Sequence, residues 1–157
     1  MLDFNPDQIR VPEGHFIDGR IVMGGADELA VRRPSDGAVY AQLPIASEDV
    51  VDRAVLNSKA AFENSTWAKG APRDRAAILR RWAELIEVNK RELAQLEALG
   101  STRHVRGVFD IDIPYSADCI RFFAEWADKL GGDVAATRAD HLGMVVAEPY
   151  GVIAAIS

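Results

Sequence analysis

One cysteine, Cys119, stands among 157 residues. A single thiol closes no intrachain disulfide, so the composition fits a reducing compartment and the expected location is cytoplasmic. Basic residues are in the minority, with 18 Lys and Arg against 24 Asp and Glu and a net charge of -6. Phosphate neutralisation needs a basic face, so nucleic acid is not an expected partner. Long apolar runs are missing as well. The longest, Gly151 to Ile156, falls far short of the about 20 residues that a membrane-spanning helix needs, so no membrane partner is expected. Met1 to Pro12 has neither a basic head nor an apolar stretch and does not read as a signal peptide. Internal repeats and low-complexity segments are absent.

What is present reads as one globular unit with a core of its own, since 48% of residues are hydrophobic and 27% charged. The polar, proline-containing first dozen residues predict an irregular arm. His15 to Val22 predicts a hairpin, with β-formers on both sides of an Asp18-Gly19 turn. A second hairpin is expected around Pro34-Ser35-Asp36-Gly37, between Leu29 and Val31 on one strand and Val39 and Leu43 on the other.

The middle predicts helices. Ser47 suits an N-cap, with Glu48 and Asp49 in the first turn and Val50, Val51, Ala54, Val55, Ala61 and Phe62 on one apolar face. Pro72 suits the first turn of the next helix, whose expected buried stripe is Ile78, Leu79, Trp82, Leu85 and Ile86. Asn89 and Glu92 have capping-box spacing, which predicts a new helix or a kink, ended by Gly100. A further helix is expected from Val105 to Leu130, disturbed near Ile113 by Pro114, with Cys119, Phe122, Phe123, Trp126 and Leu130 on one core-facing side and Gly131-Gly132 as its stop. The period then changes. Val134 to Arg138 and Met144 to Ala147 predict two strands, and Gly151 to Ile156, apolar on both faces, predicts a strand buried in a parallel sheet.

Residues that could carry chemistry are few. Cys119 shares a helical face with aromatic residues, which favours packing over nucleophilic reactivity. His15, His104 and His141 are scattered and match no zinc spacing. Asp110 and Asp112 diverge on a helix and predict a solvated face rather than a carboxylate pair.

The order of these segments resembles one family, the aldehyde dehydrogenases. Phe16-Ile17-Asp18-Gly19 is similar to that family's opening hairpin, and Pro34-Ser35-Asp36-Gly37 to its Asn-Pro-Ser-Thr-Gly turn, with Arg33 where Asn is usual. Ser47 to Val55 resembles the helix that follows, and Trp67 with Arg73 to Ile86 the next one. Phe122 to Ala127 resembles a Tyr-Tyr-Ala-Gly-Trp-Ala segment, and Glu148 to Ile153 a Glu-Pro-Val-Gly-Val-Val segment. Each motif alone is weak. Six in the same order and spacing are specific to the family, though not to a substrate.

The resemblance implies an α/β fold: N-terminal hairpins and helices over residues 1–130, an oligomerisation hairpin over 131–148, and the first strand of a Rossmann-like nucleotide-binding sheet over 149–157. It implies NAD or NADP as cofactor, an aldehyde as substrate and a homo-oligomer as the assembly. The implied chemistry is attack of a Cys thiolate on the aldehyde to give a thiohemiacetal, hydride transfer to NAD(P)+, and hydrolysis of the thioester with a Glu as base. In the family those Cys and Glu residues lie beyond the position of Ser157, so no catalytic residue is expected here. Ile156 and Ser157, at the end of the strand leading to the cofactor crevice, are the expected nucleotide contacts. Some members hold a monovalent cation with an acidic residue at the position of Gly100, which supplies no carboxylate; Thr102-Arg103-His104 likewise replaces Gly-Lys-Pro. Two other readings stay open: a non-catalytic module that pairs with dehydrogenase subunits through its terminal hairpin, and a helical scaffold without a ligand.

Overall fold

Two antiparallel hairpins lead the chain, in a computed structural model that describes residues 3–25 and 27–156. A short 3-10 turn, Pro6–Gln8, precedes them. Strands β1 (His15–Ile17) and β2 (Arg20–Val22) pair around Asp18 and Gly19. Both turn residues have positive φ, 53° and 72°, the pairing of a type I′ turn whose twist matches the strands. Strands β3 (Glu28–Arg32) and β4 (Val39–Pro44) pair with a bulge at Val31/Arg32. The chain crosses between the hairpins at Gly24 and Gly25. Gly25 has a φ of 106° and lies so close to the Ile45 carbonyl that a Cβ would sit 1.7 Å from its oxygen.

Helices α1 (Glu48–Asn64), α2 (Thr66–Lys69), α3 (Pro72–Val88) and α4 (Lys90–Gly100) follow. Pro72 starts α3 as expected, and Ser47 holds the N-cap position of α1, though its side chain makes no capping bond. The junction at Asn89 is real, but its amide donates back to the Leu85 carbonyl at 2.7 Å instead of forming the expected capping box. A one-turn α5 (Val105–Gly107) runs through a π turn, Val108–Asp112, into α6 (Ile113–Trp126). The expected disturbance by Pro114 thus takes the form of a widened turn, closed by a bond from the Ile113 N–H to the Val108 carbonyl. Helix α6 ends at Trp126, before the Gly131-Gly132 pair.

The core is built from small residues. Helices α3 and α6 make the largest helix contact and bury Ala76 and Ala83 on one side, Ala117 and Ala124 on the other. Val108, Ala94 and Leu99 are buried with them, as are Ile17 and Ala41 of the hairpins. The two stripes expected to be buried are therefore not the core. Ile78, Trp82 and Leu85 of α3 and Phe122, Phe123 and Trp126 of α6 are exposed, as is Leu130, while Leu79, Ile86 and Cys119 of the same stripes are half-buried. On α1, Val50 is buried, while Val51 and Val55 face solvent. Each helix carries two apolar faces, and the alanine faces let the backbones approach closely.

The terminal hairpin, β5 (Asp133–Ala135) with β6 (Gly143–Val145), forms where two strands were expected, and both strands are shorter. The strand expected from Gly151 to Ile156 does not form. A strand needs a neighbour to bond its N–H and C=O groups, and no described strand lies beside it, so Val152 to Ile156 run exposed.

Candidate functional site

The tail after β6 carries the expected nucleotide contacts. Gly151, with a φ of 95°, seats the tail on α1, where a Cβ would lie 3.5 Å from the Phe62 ring. Beyond it Ile153 is 75% exposed and Ile156 100% exposed. Ile156 is thus brought to no other candidate residue, and Ser157 lies outside the described residues. In a strand of an open α/β sheet the C-terminal end is where ligands sit, which is the position these two residues hold in the sequence order.

The other candidate residues disperse. Cys119 is a half-buried free thiol on α6. Asp112 is gripped by Arg103 through two nitrogens, at 2.6 and 2.9 Å, while Asp110 meets Arg106 at 3.4 Å. The two carboxylates therefore serve separate arginines rather than each other. His104 caps α5 by accepting from the Arg106 N–H, and His141 pairs with Asp140 at 2.8 Å. His15 keeps its Nε2 buried without a hydrogen-bond partner. Among the described residues no group of three His, Cys, Asp or Glu could hold a metal ion. No described helix is long and apolar enough to cross a membrane.

The position at which some family members offer a carboxylate to a monovalent cation is Gly100 here. Gly100 offers no carboxylate, and a Cβ on it would stand 3.1 Å from the Tyr40 hydroxyl oxygen. The nearby buried charge is Arg33, whose guanidinium meets Asp7 at 2.7 Å and Asp36 at 2.9 Å. Asp36 is held below the usual carboxylate range, first by the Ala38 backbone N–H and then by Arg33. The sequence marked Arg33 only as a departure from a turn motif. Its Asp partner three residues on was the available signal.

Comparison with known proteins agrees with this architecture. The profile of the aldehyde dehydrogenase family matches residues 21–157. The NADP/NAD-dependent aldehyde dehydrogenase PuuC of Escherichia coli is 37% identical over 142 residues, covering 90% of this chain and 29% of that protein. The aminoacetaldehyde dehydrogenase of Pseudomonas aeruginosa is 36% identical over 145 residues, covering 91% of this chain and 29% of that protein. A crystal structure of indole-3-acetaldehyde dehydrogenase in apo form superposes with a TM-score of 0.80 at 31% identity, over 88% of this chain and 32% of that one. A variant of the P. syringae enzyme AldA in complex with NAD+ and IAA gives the same TM-score and identity, over 88% of this chain and 28% of that one. The chain spans less than a third of the length of these relatives. By the matched span and the shared backbone, this chain belongs to the aldehyde dehydrogenase family.

Proposed function

We propose that these residues form the leading part of the nucleotide-binding domain of an NAD(P)-dependent aldehyde dehydrogenase, which oxidises an aldehyde to a carboxylic acid. The observation that carries the reading is the family match over residues 21–157, joined by a TM-score of 0.80 to an enzyme in complex with NAD+. In this reading the division is residues 1–130 as hairpins and helices, 131–148 as an oligomerisation hairpin and 149–157 as a strand of the nucleotide-binding sheet. The bound nucleotide accepts the hydride, and this chain contributes backbone contacts at Ile156 and Ser157. The nucleophile and base come from elsewhere in the complete protein, which acts in the cytoplasm as a homo-oligomer. The hairpin role draws support from Val134, Met144 and Val145, apolar side chains left exposed on β5 and β6.

The test is to express the complete reading frame that carries these residues and to assay a panel of aldehydes with NAD+ and NADP+. Aldehyde-dependent reduction of either nucleotide is the expected result. A complete protein that reduces neither nucleotide with any aldehyde, yet folds and pairs with an active dehydrogenase, favours the non-catalytic pairing module instead.

A further inference from the structure

Two departures from the family pattern, Arg33 and Gly100, lie far apart in the sequence. The fold brings them to one place. A cavity of about 300 Å³ between the N-terminal arm, the β3–β4 turn and the end of α4 is lined by Phe4, Arg33, Leu99, Ser101 and Arg103, among others. Gly100 sits between two of these lining residues. Where a side chain at position 100 would start, the Tyr40 hydroxyl already stands, 3.1 Å away. The charged side chains that line this cavity are both cationic. No lining side chain is a carboxylate, and the carboxylates nearest the two arginines are already engaged, Asp7 and Asp36 by Arg33 and Asp112 by Arg103, so the lining offers an added metal cation no carboxylate ligand.

Arg33 is itself held as a bound ion would be. Its side chain is 9% exposed. Nη1 donates to Asp7 Oδ1 at 2.7 Å, Nε donates to Asp36 Oδ1 at 3.2 Å, and Nη2 meets Asp36 Oδ2 at 2.9 Å. All three guanidinium nitrogens thus reach carboxylate oxygens. The turn around it is closed by bonds from the Arg33 N–H to the Ala38 carbonyl and from the Gly37 N–H to the Arg33 carbonyl, both 2.8 Å. Asp7 belongs to the arm's 3-10 turn, so the guanidinium ties that arm to the β3–β4 turn. A buried charge is tolerated when it is paired in this way.

We propose that Arg33 is a built-in cation: its guanidinium, fixed between Asp7 and Asp36, supplies the positive charge that some family members take from a bound monovalent metal ion. The arm is then anchored by the protein's own charge, and stability does not depend on which monovalent cation is in solution. The loss of a carboxylate at Gly100 and the gain of a cation at Arg33 are two halves of one replacement.

The experiment compares thermal unfolding of the full protein chain in potassium, sodium and choline chloride at one ionic strength. Equal midpoints in the three salts are expected. A midpoint raised by potassium or sodium above that in choline overturns the proposal. Arg33→Met is expected to lower the midpoint by several degrees, equally in all three salts, and to speed tryptic cleavage after the exposed Arg10. Wild-type stability and cleavage in that variant also overturn it. Should Arg33→Met fail to fold, Asp7→Asn removes only the arm's half of the pairing. It is expected to give a smaller midpoint loss and faster cleavage at Arg10, and an unchanged cleavage rate counts against the proposal.

Discussion

Arg121 on α6 grips Glu87 on α3 through both terminal guanidinium nitrogens, at 2.6 and 3.0 Å. Two further pairs continue the relationship: Arg80 of α3 with Glu125 of α6 at 2.7 Å, and Arg73 of α3 with Asp128, in the turn just after α6, at 3.3 Å. As the α3 number rises, the α6 number falls, so the helices run antiparallel and the ladder fixes their register over the alanine seam. Arg121 holds the Glu87 carboxyl below its ordinary range, and Lys129, then Arg73, does the same for Asp128.

Those depressed carboxyls, with that of Asp36, contribute to the acid side of the stability profile. A group whose folded pKa lies below its unfolded value contributes stability above the unfolded pKa and loses it as pH falls through the folded one. Stability is therefore expected to decline from about pH 5 downward. Glu87→Gln should flatten that decline and lower the neutral-pH midpoint slightly, because the pair is largely solvated. Thermal melts from neutral to acid pH check this, and a variant curve parallel to wild type counts against it.

The alanine seam makes an opposite pair of expectations. Ala124→Leu forces extra methylenes between α3 and α6 and should cost about 1–3 kcal/mol. Trp126→Ala, on a ring 44% exposed, should cost less than the 3–5 kcal/mol usual for deleting a buried aromatic. Chemical denaturation of both variants decides it. A larger loss at Trp126 than at Ala124 would restore the aromatic face as the core.

This reversal shows what the sequence could and could not convey. Turns were legible because their chemistry is local: Asp18-Gly19 supplies two positive-φ residues, and Pro34 to Gly37 closes a turn on its own bonds. The helix start at Pro72 was legible for the same reason, since its ring pre-sets the first turn, whereas Ser47 marks the start of α1 without a side-chain capping bond. The choice between two apolar faces of α3 and α6 is tertiary, since it depends on which face meets a partner. Hydrophobicity ranks Trp82 and Phe122 above Ala83 and Ala117, while close packing prefers the alanines. The tail from Gly151 to Ile156 carries a strand's composition, but a ladder requires a second strand that composition cannot supply. Among the candidate site residues, Ile156 has a legible position and no described partner.

Two glycines with left-handed backbones should respond differently to a methyl group. At Gly19, φ is 72° and nothing lies within 4 Å of an added Cβ, so Gly19→Ala should cost about 1–2 kcal/mol. At Gly25 the same change adds a collision with the Ile45 carbonyl oxygen, and the loss should be clearly larger, with poor soluble yield. Equal midpoints for the two variants would mean that the crossing at Gly25 relaxes.

Residues 1–157 alone are expected to oxidise no aldehyde. No described nucleophile and base stand together, since Cys119 shares its helix with aromatic side chains and the three histidines are engaged or buried elsewhere. The purified chain is incubated with aldehyde and NAD+ or NADP+, and the reduced nucleotide is followed by absorbance. Turnover that disappears in Cys119→Ser would make Cys119 the nucleophile after all.

Exposed apolar surface predicts how the same chain behaves in solution. Ile153 and Ile156 of the tail, Val134 and Met144 of the hairpin, and Phe122 and Phe123 of α6 all face solvent. Full burial of one Val, Ile or Phe is worth about 1.5–3 kcal/mol, so covering several of them rivals the whole stability of a small domain. The hairpin strands β5 and β6 also carry outer edges without a described neighbour, which can template pairing with another chain. Residues 1–157 expressed alone should therefore self-associate, with a molar mass by light scattering that rises with concentration. Replacing Val134 and Met144 by Lys places charge on the hairpin and should lower the association without lowering helix content. If the replacement acts only through the hairpin, Ile153→Lys should have a separate and additive effect, since the tail is a different surface. A monomer of constant mass with a cooperative melt would sink the prediction. It would mean that the exposed side chains are few enough, or dispersed enough, for this part of the fold to stand in water by itself.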